Sequence, residues 1–345
     1  MKMRKTIIAL LLSFVTVFAF VGCGDSGSSE EPAADEGAAV SAVIATQDLT
    51  DVAAVAKGAG YFNEQMGEGV EVSRMAAGRD MITAMKSGDA NFAGPLGICP
   101  TIVGLTTGTD YKVIYVASLI RGTEGLVVRE STGFETVADL KGQKIGVTLA
   151  SSGHYGMLCA LEDAGLTTDD VEILDMAPDA INSAWERGDI DVAYTWNPTL
   201  TNIANKDGKI ILTAADLAKA GHQTINFHIV RSDFAEANPE AVTNYVRALA
   251  QANDLYDNSK EEAQEIVGEY LEMDLDVVEQ QMSDDYPGLE RQLNDDVLGN
   301  DNAAAAMLQV AEFLQKAGQI DDAKDLDFFK NAIDTTYIEQ VLSEK

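Results

Sequence analysis

Residues 143–166 read "QKIGVTLASSGHYGMLCALEDAGL", and the change of rhythm inside them decides the fold class. "QKIGVT" is a short apolar run of the kind that forms a strand, and the residues after Ser152 take on helical spacing. Strand, serine-glycine turn and helix make up half of an α/β unit. Ser151 or Ser152 is placed to cap the helix, leaving the amides of Gly153, His154 and Tyr155 at its start. Such a start carries about half a positive charge and up to four unpaired donors, which is the physics of an anion site. The alternative is an enzyme using His154. A nucleophilic serine on a strand-to-helix elbow needs flanking glycines, with a His and an acid brought from elsewhere. Here the His follows on the same helical turn and cannot easily serve the serines as base, so no catalytic residue is assigned.

The same rhythm recurs along the chain. "SAVIAT" (41–46), "VEVSRM" (70–75), "KVIYVAS" (112–118), "VEILD" (171–175) and "DVAYTW" (191–196) are further short apolar runs, most of them separated by helix-period segments. The alternation predicts α/β lobes with largely parallel sheets. A weak internal echo points to two equivalent lobes. "IATQDLTDVAAVAKGAG" parallels "GVTLASSGHYGMLCALEDAG", and Gly88-Asp89 parallels Gly188-Asp189, each Gly standing where a helix needs a left-handed residue. From Ser232 the chain turns helical, with Asn238 as N-cap and Pro239 at the first helical position, and no strand run follows residue 231. Two such lobes leave a ligand cleft at the carboxyl ends of their strands, where helix starts converge.

The beginning of the chain reads as an address. Lys2, Arg4 and Lys5 precede an apolar run, Ile7 to Val21, that closes on Gly22-Cys23, the shape of a signal peptide with a lipidation cysteine. Cys23 is expected to become the acylated N-terminus, followed by the acidic tether "GDSGSSEEPAADEGAA", which has no large apolar residue with which to build a core. The whole chain carries 24 Lys+Arg against 56 Asp+Glu, a net −32, and loss of the three basic leader residues takes this to −35. That balance excludes nucleic acid as a partner. Cys99 and Cys159 are expected as buried thiols, and no cysteine-histidine spacing suggests a metal or any other cofactor. Trp185 falls at core spacing, and the acidic run "DDYPGLERQLNDD" reads as a solvated face without calcium-loop spacing.

"SSGHYGMLCALEDAGLTTDDVEIL", "AINSAWERGDIDVAYTWNP" and "NKDGKIILT" resemble the solute-binding lipoproteins of ABC importers in the taurine, alkanesulfonate and nitrate family, most of all its taurine-binding branch. The resemblance spans about residues 42–345. It implies a type II periplasmic-binding-protein fold, an extracytoplasmic and lipid-anchored monomer, and delivery of a small anionic or zwitterionic ligand to permease subunits. By the same resemblance Ser152, Gly153, His154 and Tyr155 cradle the sulfonate and Trp196 lines the cleft. "LGICP" (96–100) matches a family turn, with Ile98 and Cys99 in place of small hydroxyl residues. At "TINFHIV" Asn226 stands where the taurine branch usually has an acid, so Asp51 is the candidate partner of an ammonium group, or else a first-turn acid that complements the helix dipole. Taurine is the leading ligand, with an alkanesulfonate or nitrate as alternatives. The expected organisation is a signal peptide (1–22), tether (23–40), lobe 1 (41–123), lobe 2 (124–227), and a return to lobe 1 with the C-terminal helices (228–345). The crossings are expected near Thr123–Leu126 and Asn226–Val230.

Overall fold

The computed structural model describes residues 41–345, so the expected leader, Cys23 and the tether lie outside the described residues. The first part of the chain runs β1 (Ala42–Thr46), α1 (Val52–Gly58), α2 (Tyr61–Met66), β2 (Val70–Arg74), α3 (Gly78–Ser87), β3 (Phe92–Gly97), α4 (Ile98–Thr106) and β4 (Tyr111–Leu119). The middle part runs β5 (Glu124–Arg129), β6 (Lys144–Val147), α5 (Ser152–Asp163), β7 (Glu172–Asp175), α6 (Pro178–Arg187), β8 (Val192–Trp196), α7 (Thr199–Ala204), β9 (Gly208–Thr213) and α8 (Ala214–Lys219). The chain then returns as β10 (Ile225–Arg231). It ends in α9 (Ser232–Ala237), α10 (Pro239–Asn258), α11 (Lys260–Leu271), α12 (Leu275–Gln281), α13 (Asn302–Lys316), α14 (Leu326–Ala332) and α15 (Thr336–Ser343).

Two five-stranded sheets result, ordered β2-β1-β3-β10-β4 and β7-β6-β8-β5-β9, within one compact unit, Ala39–Lys345. Position by position the two orders are the same, which gives the sequence echo its structural meaning. Gly88 (φ 87°) and Gly188 (φ 73°) end α3 and α6 in the left-handed conformation, where a Cβ would clash with the backbone. The expectation of largely parallel sheets needs correction. β1 pairs in parallel with β2 and β3, and β6 with β7 and β8, but β10 and β5 each run antiparallel to both neighbours. Each of these two strands starts straight after a crossing from the other lobe and so enters its sheet against the grain.

The first crossing is Ile120–Thr123, since Glu124–Leu126 already pair with β8 and β9. The return falls at residues 220–224, earlier than Asn226–Val230, because those residues already pair with β3 and β4. A third segment packs on these two: Leu119 and Asp285 exchange backbone bonds of 2.8 and 3.2 Å, and the Ile120 amide donates to the Thr224 carbonyl (3.0 Å). Helix α10 covers the first sheet, stacking Tyr245 on Phe92 with centroids 4.2 Å apart, while the Tyr245 hydroxyl meets His228 Nδ1 at 2.9 Å. Trp185 packs into the second core with Ile181, Ile190 and Leu200. Cys99 and Cys159 are free, buried thiols. Among the described residues no helix is long and apolar enough to cross a membrane.

Candidate functional site

Helix starts from both lobes meet in a cleft between the two sheets. Gly78 opens α3, Gly97 precedes α4, Ser152 opens α5, and Asp51 caps α1; all four line the cavity. At α5 the cap is Ser151, whose Oγ donates to the Thr148 carbonyl (2.6 Å) and accepts the His154 amide (3.1 Å). The Tyr155 amide already bonds the Ser151 carbonyl (3.1 Å). The donors left at this helix start are therefore the amides of Ser152 and Gly153, not the three expected. The cleft encloses about 60 Å³ open to the centre of a water-sized sphere. At roughly 10–15 Å³ per water, that is room for a ligand of a few heavy atoms rather than a long chain.

Acidic groups border the same cavity. Asn226, paired in register with Gly97 on one side and Ser118 on the other, donates through Nδ2 to Ser118 Oγ (3.1 Å). Ser118 Oγ donates in turn to Asp284 Oδ2 (3.2 Å), which also accepts from Thr123 Oγ1 (2.8 Å). Asp284 Oδ1 accepts the amides of Arg121 (2.7 Å) and Thr123 (3.3 Å) and so fastens the crossing. Burial raises the Asp284 carboxyl pKa against the pull of these four donors. Asp51 Oδ1 accepts the Ala54 amide at 2.8 Å; burial pushes its pKa up to about 6 even with Lys57 beside it. Glu124, the first residue of β5, stands opposite Trp196 of β8. Burial, with Asp284 nearby, pushes its pKa up to about 8.

The raised carboxyls of Asp51, Glu124 and Asp284 fix a pH dependence. A group that is harder to ionise folded than unfolded contributes stability below its unfolded pKa and loses it as pH rises through the folded value. The ligand-free protein is therefore expected to melt lower at pH 8.5 than at pH 5, the loss running through about 6 for Asp51 and about 8 for Glu124. Thermal melts across that range check it, and Glu124→Gln should flatten the alkaline half of the decline. An equal slope in the variant would assign the effect elsewhere.

Of the residues singled out in the sequence, the cleft brings together Asp51, Ser152, Trp196 and Asn226, with Gly153 directly behind Ser152. The side chains of Ile98 and Cys99 are fully buried in the core, and Gly97 and Pro100 line the cavity in their place. His154 and Tyr155 face away from it. His154 lines a groove between α5 and α13, its pKa lowered by burial, and Tyr155 packs edge-on against Phe313 of α13 with centroids 5.0 Å apart. Successive helical residues turn by about 100°, so the side chains two and three positions past Ser152 leave the cleft face. Gly97, Glu124, Asp284 and Tyr286 were not anticipated. Asp284 and Tyr286 belong to the acidic run read as a solvated face, whose first members instead turn inward beside the crossing. No hydrogen bond joins Ser151 or Ser152 to a histidine ring among the described residues: His222 meets Asp163 (3.3 Å) and His228 meets Tyr245. Nor do any of them form a metal-ligating cluster.

Two α/β lobes joined by paired crossings, with a small polar cleft between them, define the type II periplasmic-binding-protein fold. The chain belongs to the NMT1/THI5-like family, whose profile matches residues 52–263. It is 34% identical to the taurine-binding periplasmic protein of Escherichia coli (strain K12) over 63% of this chain and 67% of that protein. It is 28% identical to the putative aliphatic sulfonates-binding protein of Bacillus subtilis (strain 168) over 99% of this chain and 98% of that one. The alkanesulfonate-binding protein SsuA from Xanthomonas axonopodis pv. citri, solved with MOPS bound, superposes with a TM-score of 0.74 at 18% identity, covering 87% of this chain and 100% of that one. That last likeness is one of fold.

Proposed function

We propose that the protein is the extracytoplasmic substrate-binding component of an ABC importer, anchored through Cys23, that captures a small sulfonate between its lobes and hands it to the permease. Taurine is the favoured ligand. The observation that carries this reading is the mixed lining of the cleft: backbone amides at helix starts and carboxyl groups border the same small cavity. A sulfonate suits the first and an ammonium the second, and taurine carries both on a two-carbon spacer that suits the small cavity. The overall −32 does not oppose an anion, because surface charge is screened over about 8 Å at physiological salt while amides act at contact. Charge-assisted hydrogen bonds are worth roughly 1.5–3 kcal/mol each, so a few of them supply much of the ~8 kcal/mol of micromolar binding. The names of the relatives support the sulfonate class. An enzyme using His154 has no support from the geometry, since that ring lies outside the cleft.

Calorimetry with taurine, ethanesulfonate, nitrate and sulfate, each followed by small-angle scattering, is the test. One-to-one heat without turnover is expected for taurine, together with a compacted molecule and a raised melting temperature. Ethanesulfonate binding as tightly as taurine would move the assignment to alkanesulfonates, and heat from nitrate alone would move it to nitrate. Silence towards all four, or turnover, would remove the proposal.

A further inference from the structure

Three carboxyl groups line the cleft, and two are already committed. Asp284 accepts four hydrogen bonds from the crossing and Ser118. Asp51 caps α1 and has Lys57 as its neighbouring cation. Glu124 differs from both. It is only 4% exposed, and its buried Oε1 has no hydrogen-bond partner among the described residues. Buried polar atoms are almost always paired, so an orphan carboxyl oxygen bordering a cavity marks a place where a partner is missing. Once ionised the carboxylate only accepts, so the partner it then lacks is a donor. Glu124 and Trp196 are directly opposed across the β5–β8 pair, which puts both side chains on one face of the sheet, and both border the cavity. A carboxylate beside an indole is the pairing that holds a cation, one by charge and the other through its π face.

Resting on the sulfonate reading above, we propose that Glu124 is the cation-binding residue of the cleft, so that the protein selects a short sulfonate bearing an ammonium group over the same sulfonate without one. The groups that act on Glu124 or feel its charge are Asp284 of the C-terminal segment, Cys99 of α4 and Tyr194 of β8, with Cys159 of α5 beyond Tyr194. None of these supplies a positive charge. With its carboxyl pushed up to about 8, the empty site holds a proton at neutral pH. An arriving ammonium stabilises the carboxylate, the proton leaves to the buffer, and the cleft exchanges one positive charge for another. Taurine binding at pH 7 therefore releases roughly one proton.

The full chain, Glu124→Gln, Glu124→Asp and Asp51→Asn are titrated by calorimetry with taurine and with ethanesulfonate, in phosphate and in Tris, whose ionisation heats differ. Glu124→Gln is expected to weaken taurine by roughly 10–100-fold while leaving ethanesulfonate within about threefold or tightening it. The buffer dependence of the taurine heat should appear in the parent chain and vanish in Glu124→Gln. Glu124→Asp, which keeps the charge but withdraws it, should lose less taurine affinity than Glu124→Gln, and Asp51→Asn, which keeps the cap, should cost taurine only a few-fold. Unchanged taurine affinity in Glu124→Gln overturns the proposal, and so does equal loss of both ligands, which would signal a structural role. If the parent chain binds neither sulfonate, the functional reading falls first and this assignment with it, an outcome read without any variant.

Discussion

Gly97→Leu should abolish ligand binding and leave the fold standing. Gly97 has φ −61° and ψ 153°, an extended conformation open to every residue, so the substitution puts no strain on the backbone. What it fills is the cleft. A Cβ built on Gly97 comes within 2.3 Å of Ser152 Oγ, from the other lobe, and 3.7 Å of Asn226 Oδ1. A serine hydroxyl can swing away from one methyl group, and Gly97→Ala should bind with modest loss. A leucine adds three further carbons to a cavity of about 60 Å³ that must also hold the ligand. Ligand and closed lobes cannot then coexist, and affinity should fall by more than ~100-fold, about 3 kcal/mol. The unliganded melting temperature should move only by what an N-cap substitution costs, about 1 kcal/mol. Calorimetry and melting of the two variants decide the matter, and a Gly97→Leu protein binding within tenfold of the parent would place the site elsewhere.

Asp284→Ala should be the most destabilising single change in the cleft. The substitution removes four hydrogen bonds at once and strands the amides of Arg121 and Thr123 in the four-residue crossing between the sheets. A donor left without a partner costs roughly 1–3 kcal/mol, so two of them give a loss of about 2–6 kcal/mol, less whatever water entering from the cleft recovers. For a chain of this size that corresponds to a fall of roughly 3–9 °C in melting temperature. Asp284→Asn keeps one acceptor oxygen and should fall in between. If Asp284→Ala melts within 2 °C of the parent, water has replaced the carboxylate and the fastening is not structural.

Both lobes, their helix starts and the helical tail were legible in the sequence because each is written in local periodicity and punctuation. Ser152 was legible as a cleft residue for the same reason, while Trp196, Asn226 and Asp51 came from the family resemblance; all four line the cavity at the ends of strands or the starts of helices, where an α/β chain places its ligands. Strand direction was not, since an apolar run looks the same in either sense, and β5 and β10 take theirs from the crossings that precede them. Glu124 and Asp284 escaped for a different reason. Asp284 finds its partners 161 to 166 residues back along the chain. Its neighbours in sequence, Asp285 and Arg291, form a half-buried ion pair, and the charges of the stretch read as ordinary surface. His154 and Tyr155 were placed on the correct helix but on the wrong side of it, because only the position of α13, far downstream, tells which face of α5 it covers.

The order β2-β1-β3-β10-β4 also sets a calendar for the chain as it emerges. The second sheet draws all five strands from one contiguous stretch, Glu124–Thr213, and can complete itself as soon as that stretch is available. In the first sheet the strand paired with β4 among the described residues is β10, made roughly a hundred residues later, and its bridges to Asp285 and Ile333 come later still, so the edge of that sheet waits with its backbone unpaired until the other lobe has been written out. The lobe that begins first is finished last, and the exposed edges of β3 and β4 are where a chaperone, or a second unfinished chain, would meet it.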